Sequence, residues 1–171
     1  MQIPNIIQQI SEVCHQYQGT VYIVGGSIRD FFMQKEAKDW DLEVHSISGE
    51  TLERALRSIG KAKRVGASFS VFKLHIEDDE IDIALPQNGA NEDPYMGIIP
   101  ALRRRDLTIN SMAYNIHSRT LIDPFHGEQD IQHRVLRATD PKTFIEDPLR
   151  AFRVAQFAGR YAMKIDPDLI S

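Results

Sequence analysis

The stretch VYIVGGSIRDFFMQKEAKDWDLEV, residues 21–44, sets a glycine pair directly after an apolar run and, 13 residues beyond it, two aspartates separated by one tryptophan. The run TVYIV closed by Gly25 and Gly26 reads as a buried strand entering a tight turn. A helix is signalled from Ser27, which suits an N-cap with Asp30 three residues on. Adjacent glycines let backbone N–H groups approach phosphate oxygens with no Cβ in the way, and the following helix points its positive end the same way. Neither GxGxxG nor GxxxxGK[ST] is present, so the dinucleotide and P-loop readings fail. Taken alone, a glycine pair is plain turn geometry more often than a ligand site.

In KDWDLEV the strand period places Asp39, Asp41 and Glu43 on one face and Trp40, Leu42 and Val44 on the other. Side chains at i and i+2 of a strand lie roughly 6.5 to 7 Å apart. Two carboxylates at that spacing suit magnesium, which prefers hard oxygen ligands and substrate phosphates. A solvated strand face would present the same letters. A phosphate-friendly turn next to a metal-binding pair favours a nucleoside triphosphate site, and two-metal phosphoryl or nucleotidyl transfer is the economical chemistry. Asp82 in EIDIAL is the candidate third carboxylate, because Ile81 and Ile83 turn inward on an alternating strand while Asp82 turns the other way.

The rest of the chain frames this stretch. Its 171 residues, 42% hydrophobic and 26% charged, are enough for one substantial core. No apolar run approaches a membrane span, and MQIPNIIQQISEV lacks the basic start and apolar core of a signal peptide, so a cytoplasmic location is expected. The single cysteine, Cys14, excludes an internal disulfide and reads as buried filler; no HExxH or paired Cys/His spacing points to zinc. Charge is uneven: residues 1–99 carry nine Lys/Arg against fifteen Asp/Glu, residues 100–171 eleven against nine. The second part is the one suited to face phosphates.

Periodicity predicts a helix over 3–17, one from Ser48 to Gly60, and strands in WDLEVH, SFSVFKLHI and EIDIAL, the last two joined as a hairpin by the acidic tip EDDE. PQNGANEDPYMGIIP, residues 86–100, has no usable period and the length of a lid or binding loop. A helix over about Leu102 to Asn115, a strand TLID, the turn DPFHGEQD and a helix from Asp147 follow. Another helix begins near the last residues, so a continuation is expected. Asp106 falls on the buried stripe beside three arginines, where it orients a ribose hydroxyl, pins Arg105, or merely caps a helix. In IEDPLRAFR, Glu146, Asp147, Arg150 and Arg153 share a helical neighbourhood, as ion pairs at a helix start or as forked groups reading a base edge.

GGSIRD, DWD, RRRDLTIN, DPFHG and EDPLRAFR stand in the order found in the class II tRNA nucleotidyltransferases (CCA-adding enzymes) and the related bacterial poly(A) polymerases, which the chain resembles over about residues 19–165. The resemblance implies an α+β chain: a polymerase-β-like nucleotidyltransferase head over 1–140, with a small mixed sheet and covering helices, and the first helix of an all-α neck over 141–171. It makes Gly26 and Arg29, with Gly25 in the same turn, triphosphate contacts, and Asp39 and Asp41 ligands of Mg2+. Arg105 and Asp106 match a ribose-side motif, Glu146, Asp147 and Arg150 a template selecting CTP or ATP, and Arg153 a further nucleotide contact. The implied acceptor is a tRNA 3′ end. Two departures stand out: Gln156 replaces a common arginine, and LPQNGANED lacks the arginine relatives often carry after the strand. A basic pair usual in poly(A) polymerases is absent after Gly66, which favours the CCA-adding side. The alternatives are a poly(A) polymerase, a CC-only or A-only adding relative, and a catalytically silent RNA- or nucleotide-binding module.

Overall fold

The computed structural model describes residues 2–35, 39–66, 71–77 and 79–169. Helix α1 (Asn5–Gln16) turns Ile7, Ile10, Val13 and Cys14 inward, the apolar stripe its sequence predicts. Strand β1 (Thr20–Val24), helix α2 (Gly26–Phe32) and strand β2 (Leu42–His45) follow. Helix α3 (Gly49–Arg57) starts as expected, its Ser48 cap accepting from the Thr51 N–H at 3.2 Å. Strands β3 (Lys61–Val65), β4 (Val71–Ile76) and β5 (Asp79–Ala84) form an antiparallel meander, so the expected hairpin is present. Residues 68–70, assigned to the same strand from the sequence, and residue 78 of the acidic tip lie outside the described residues.

Residues 86–100 contain a small hairpin, β6 (Gln87–Asn88) with β7 (Asn91–Glu92), and then α4 (Ile98–Arg103). Two contacts tie the segment to the sheet: Ser46 N–H donates to the Pro94 carbonyl at 2.7 Å, and Arg64 pairs with Glu92 at 2.7 Å.

The single helix expected over 102–115 is replaced by three pieces: α4 ends at Arg103, Thr108–Asn110 make one 3₁₀ turn, and β8 (Ala113–Asn115) is extended. The apolar spacing of Ile109, Met112, Ala113 and Ile116 serves both conformations, and the open edge of β1 decides between them. Its backbone groups need partners, and β8 supplies them, Tyr22 opposite Asn115 and Val24 opposite Ala113.

Strand β9 (Thr120–Ile122) completes the edge. Helix α5 (Gly127–His133) is capped by Asp123, whose carboxylate accepts from the Gly127 and Glu128 N–H groups at 2.7 and 3.0 Å. Strand β10 (Val135–Leu136), helix α6 (Pro141–Phe144), helix α7 (Leu149–Tyr161) and strand β11 (Lys164–Ile165) follow, and then a 3₁₀ turn over Pro167–Leu169.

The seven-stranded sheet runs β3-β4-β5-β2-β1-β8-β9, with β2 and β5 parallel and the other neighbours antiparallel. On one face, Val21, Ile23, Leu42, Val44, Phe72, Leu74 and Ile83 pack under α1 and α3. Burying each such apolar side chain is worth about 1.5 to 3 kcal/mol, which makes this face the anchor of the fold. Alternation sends Glu43, His45, Lys73 and Asp82 to the opposite face, where polar chemistry collects. The α+β class and small mixed sheet match the expectation. Among the described residues no helix is long and apolar enough to cross a membrane.

Candidate active site

Three clefts meet at Asp41. The first, about 400 Å³, is lined by Gly25, Gly26, Arg29, Arg105, Asp106, Asp147, Arg150 and Arg153, all expected from the sequence, with Asn110 and Phe157 added. The second, about 370 Å³, contains Asp39, Asp41 and Asp82. The third, about 520 Å³, runs from Gly26 and Arg29 past Lys35 to Arg160 and Tyr161.

Gly25 sits at φ +65°, a region that costs an L side chain, and it caps α2. A Cβ there would lie 3.1 Å from Arg105 Nη1 and 3.3 Å from Asp41 Oδ2. The turn is therefore a cradle between a guanidinium and a carboxylate. Ser27 is not the expected N-cap and forms no box with Asp30: it lies inside α2, where its Oγ donates to the Asp39 carbonyl (3.0 Å) and accepts from the Asp41 N–H (3.1 Å). Buried at 2% exposure, it staples the aspartate segment onto the helix. Asp30 pairs with Arg29 instead, at 2.9 Å.

Asp41 opens onto the clefts, yet the crowded turn strips enough water that its carboxyl is pushed above the ordinary range. Arg105 and the Gly26 N–H oppose that rise, and the Asp39 charge adds to it. Glu43 moves the other way. Burial alone would raise it, but the His45 hydrogen bond and the Arg105 charge hold it below its usual value. Glu43 divides its oxygens between the two, Oε1 at 2.8 Å from His45 Nε2 and Oε2 accepting from Arg105 Nη2 at 3.0 Å. His45 Nδ1 lies 2.8 Å from the Met96 carbonyl. Both neighbours of the ring are acceptors, a carboxylate at Nε2 and a main-chain carbonyl at Nδ1.

Asp106 is buried, but it neither pins Arg105 nor caps a helix. Its Oδ1 accepts from the Leu107 N–H (2.8 Å) and Asn110 Nδ2 (3.1 Å). Its Oδ2 lies 3.1 Å from Arg153 Nε at an angle short of a hydrogen bond, which leaves acceptor capacity. Arg29 Nη1 donates to Asn110 Oδ1 at 2.8 Å, so Arg29, Asn110, Asp106 and Arg153 form one chain across the cleft. Phe157 and Tyr161 of α7 back it, each ring 5.1 Å from the Arg29 guanidinium carbon. Asn110 closes the quoted RRRDLTIN motif four residues after Asp106, a signal open to a sequence reading; Phe157 gives only a helical apolar period.

Arg150 corrects another expectation. Neither Glu146 nor Asp147 forms an ion pair with it among the described residues; its guanidinium donates to the carbonyls of Thr143 (2.6 Å) and Arg104 (2.8 Å). Backbone acceptors on two segments fix a planar fork more rigidly than flexible acids would. Helix α7 starts one residue later than expected, with Pro148 rather than Asp147 at the N-cap, and Asp147 Oδ1 accepts from the Leu149 N–H at 2.9 Å. Glu146 is exposed and faces a separate cleft of about 230 Å³ with Arg104, Arg105 and Arg150. Gln156 is exposed on α7.

The β2–β5 register, Leu42 opposite Ile83, brings Asp82 to the wall of the cleft that Asp39 and Asp41 also line, and Lys73 Nζ holds it at 2.8 Å. Among the described residues no group of three His, Cys, Asp or Glu converges as a ready metal cage. A pair of carboxylates beside a phosphate-sized cleft, one of them raised by lost water, fits an ion that keeps several waters and shares phosphate oxygens.

Residues 21–137 match the family model of the poly A polymerase head domain. The chain is 40% identical over 153 residues to the CCA-adding enzyme of Blochmanniella pennsylvanica, covering 82% of this chain and 35% of that protein. It is 41% identical over 151 residues to the multifunctional CCA protein of Hahella chejuensis, covering 82% and 34%. It thus spans about a third of the length of these curated relatives. Among solved structures, the Bacillus stearothermophilus CCA-adding enzyme in complex with CTP superposes with a TM-score of 0.85 at 25% identity, covering 99% of this chain and 42% of that one. The Thermotoga maritima CCA-adding enzyme complexed with tRNA_CCA gives 0.79 at 29%, covering 95% and 38%. A family match over most of the chain, a shared fold and a nucleotide-sized cleft at the glycine turn agree: the chain belongs to the poly A polymerase head domain family of nucleotidyltransferases.

Proposed function

We propose that the chain carries the catalytic head, with the first neck helix from about residue 141, of an enzyme that adds CMP and AMP from CTP and ATP to the 3′ end of tRNA without a nucleic-acid template. The observation that carries the reading is the meeting of three clefts at Asp41, which gives a nucleoside, an acceptor and a leaving group separate approaches to one carboxylate. The names of the relatives, with their CTP and tRNA complexes, support the choice of substrates.

In this reading the base lies against Asp147 and Arg150, the sugar hydroxyl donates to Asp106, and Arg29 and the Gly25–Gly26 turn receive the phosphates. Arg105, held by Glu43, presses the triphosphate toward the turn. The terminal hydroxyl of the acceptor enters past Asp82; its oxygen bonds to the α-phosphorus, its proton passes to solvent, and the bond to the α–β bridging oxygen breaks with its electron pair leaving on pyrophosphate. Divalent metal use is general in this family; we assign magnesium, held by Asp39 and Asp41, which when bound acidifies the attacking hydroxyl and offsets charge on the phosphates. The transfer is direct, with no covalent enzyme intermediate.

Gel-resolved extension of a tRNA lacking its 3′ CCA, with magnesium and CTP alone, ATP alone or both, tests the reading. Growth by C, C and A, then arrest, is expected. A ladder of A residues would identify a poly(A) polymerase instead, and no extension would leave only a binding module.

A further inference from the structure

Three cations gather around Tyr161 at the far end of the third cleft. Lys35 Nζ lies 4.3 Å from the ring centroid, and the guanidinium carbons of Arg29 and Arg160 lie at 5.1 and 5.4 Å. Arg29 is already neutralised by Asp30 at 2.9 Å. Among the described residues, Lys35 and Arg160 form no ion pair with a carboxylate; the ring face is their shared contact. An aromatic face attracts cations but does not cancel their mutual repulsion. A multiply charged anion does so, and forked or clustered donors of this kind bind phosphate oxygens well.

The position of the cluster selects the anion. Its cleft shares Gly26, Arg29 and Asp41 with the nucleoside cleft, so a triphosphate whose sugar sits by Asp106 and whose α-phosphate sits by Asp41 continues into it. The acceptor side, marked by Asp82, opens from Asp41 through a different cleft. In-line displacement puts attacking and leaving oxygens on opposite sides of the phosphorus, so the cationic cleft falls to the leaving group.

We propose that Lys35 and Arg160, assembled on Tyr161, form the landing site of pyrophosphate as it leaves the α-phosphorus. The inference rests on the nucleotidyl-transfer reading above. Lys35 follows α2 and Arg160 lies in the last turn of α7, so the site spans the head and the neck helix. It binds the β- and γ-phosphates before transfer and the free pyrophosphate after it.

The test titrates inorganic pyrophosphate with magnesium, and separately CTP and CMP, into the parent chain and into Lys35→Gln, Arg160→Gln and the double variant. Each single change should weaken pyrophosphate roughly five- to tenfold, the double change should weaken it further, and CMP affinity and Tm should stay put. Pyrophosphate binding equally to parent and double variant, while CTP still binds the parent, would overturn this proposal alone. Loss of binding to a single-stranded RNA ending in C, with pyrophosphate affinity unchanged, would reassign the cleft to the acceptor and equally overturn it. A parent chain that binds neither CTP nor pyrophosphate would remove the nucleotidyl-transfer reading and this site with it.

Discussion

Glu43 Oε2 accepts from Arg105 Nη2 at 3.0 Å, and through that bond a buried strand residue sets where an arginine at the glycine turn points. Glu43→Gln keeps the shape and removes the charge. It should raise KM for CTP and ATP about five- to tenfold while kcat changes less than about twofold, because binding rather than chemistry loses its anchor. In an Arg105→Ala background the same change should have no further effect on KM. An undiminished effect there would show that Glu43 acts by some route other than Arg105.

The same residue predicts acid sensitivity. Glu43 is held below its ordinary value in the folded chain, so it binds protons less readily there than when unfolded. Its contribution to stability is therefore complete above the unfolded carboxylate range of about 4.3 and fades as pH falls through the folded value. Thermal unfolding followed from pH 7 to pH 3 should show the gap in Tm between the parent and Glu43→Gln closing at the acid end.

Asp41 should behave oppositely. Its carboxyl is raised by lost water, so the folded chain holds the proton more tightly and stability falls as pH rises from the ordinary value through the raised one. At neutral pH the ionised side chain is a cost to the fold. Asp41→Asn should raise Tm at pH 7, with the gain shrinking as pH drops below that window, while nucleotide transfer falls by more than about a hundredfold. A variant less stable than the parent at pH 7 would contradict the stated electrostatics.

Gly25→Ala places a methyl group 3.1 Å from Arg105 Nη1 and 3.3 Å from Asp41 Oδ2 at φ +65°. The backbone cost is about 1 to 2 kcal/mol. Activity should fall more than that stability loss accounts for, since the methyl group occupies the phosphate cradle. Gly127→Ala, whose added carbon would run into the Thr108 carbonyl, should instead lower Tm without a specific effect on nucleotide affinity of the folded fraction.

Arg150→Lys should narrow the preference for CTP and ATP over UTP and GTP by roughly five- to a hundredfold, because a lysine cannot bridge the Thr143 and Arg104 carbonyls and still present a planar edge. Competition assays with mixed nucleotides would measure it. Unchanged selectivity would take Arg150 out of base recognition.

Strands and caps governed by local chemistry were readable before the fold was known: α1 from its stripe, α3 from Ser48, the β4–β5 hairpin from alternation about an acidic tip. Residues 102–115 were not, because their apolar spacing serves a helix and a turn-plus-strand equally and the open edge of β1, distant in sequence, makes the choice. Ser27 and Arg150 failed for a related reason. Local spacing offered Asp30 and Glu146 as partners, but the side chains found the Asp39 carbonyl and Asp41 N–H in one case and the Thr143 and Arg104 carbonyls in the other. The aspartate pair and the glycine turn were legible because they lie within one short segment. The Arg29–Asn110–Asp106–Arg153 chain was not, since it joins three segments.

Helix α7 is fastened at both ends: Arg150 grips the Arg104 carbonyl near its start, and just past its end the Lys164 N–H donates to the Arg134 carbonyl at 2.8 Å where β11 lies beside β10. A helix so moored has little freedom to swivel as a rigid rod. Under the proposed function, a change of preference between cytosine and adenine at this edge would then fall to side-chain rotation within a stationary frame.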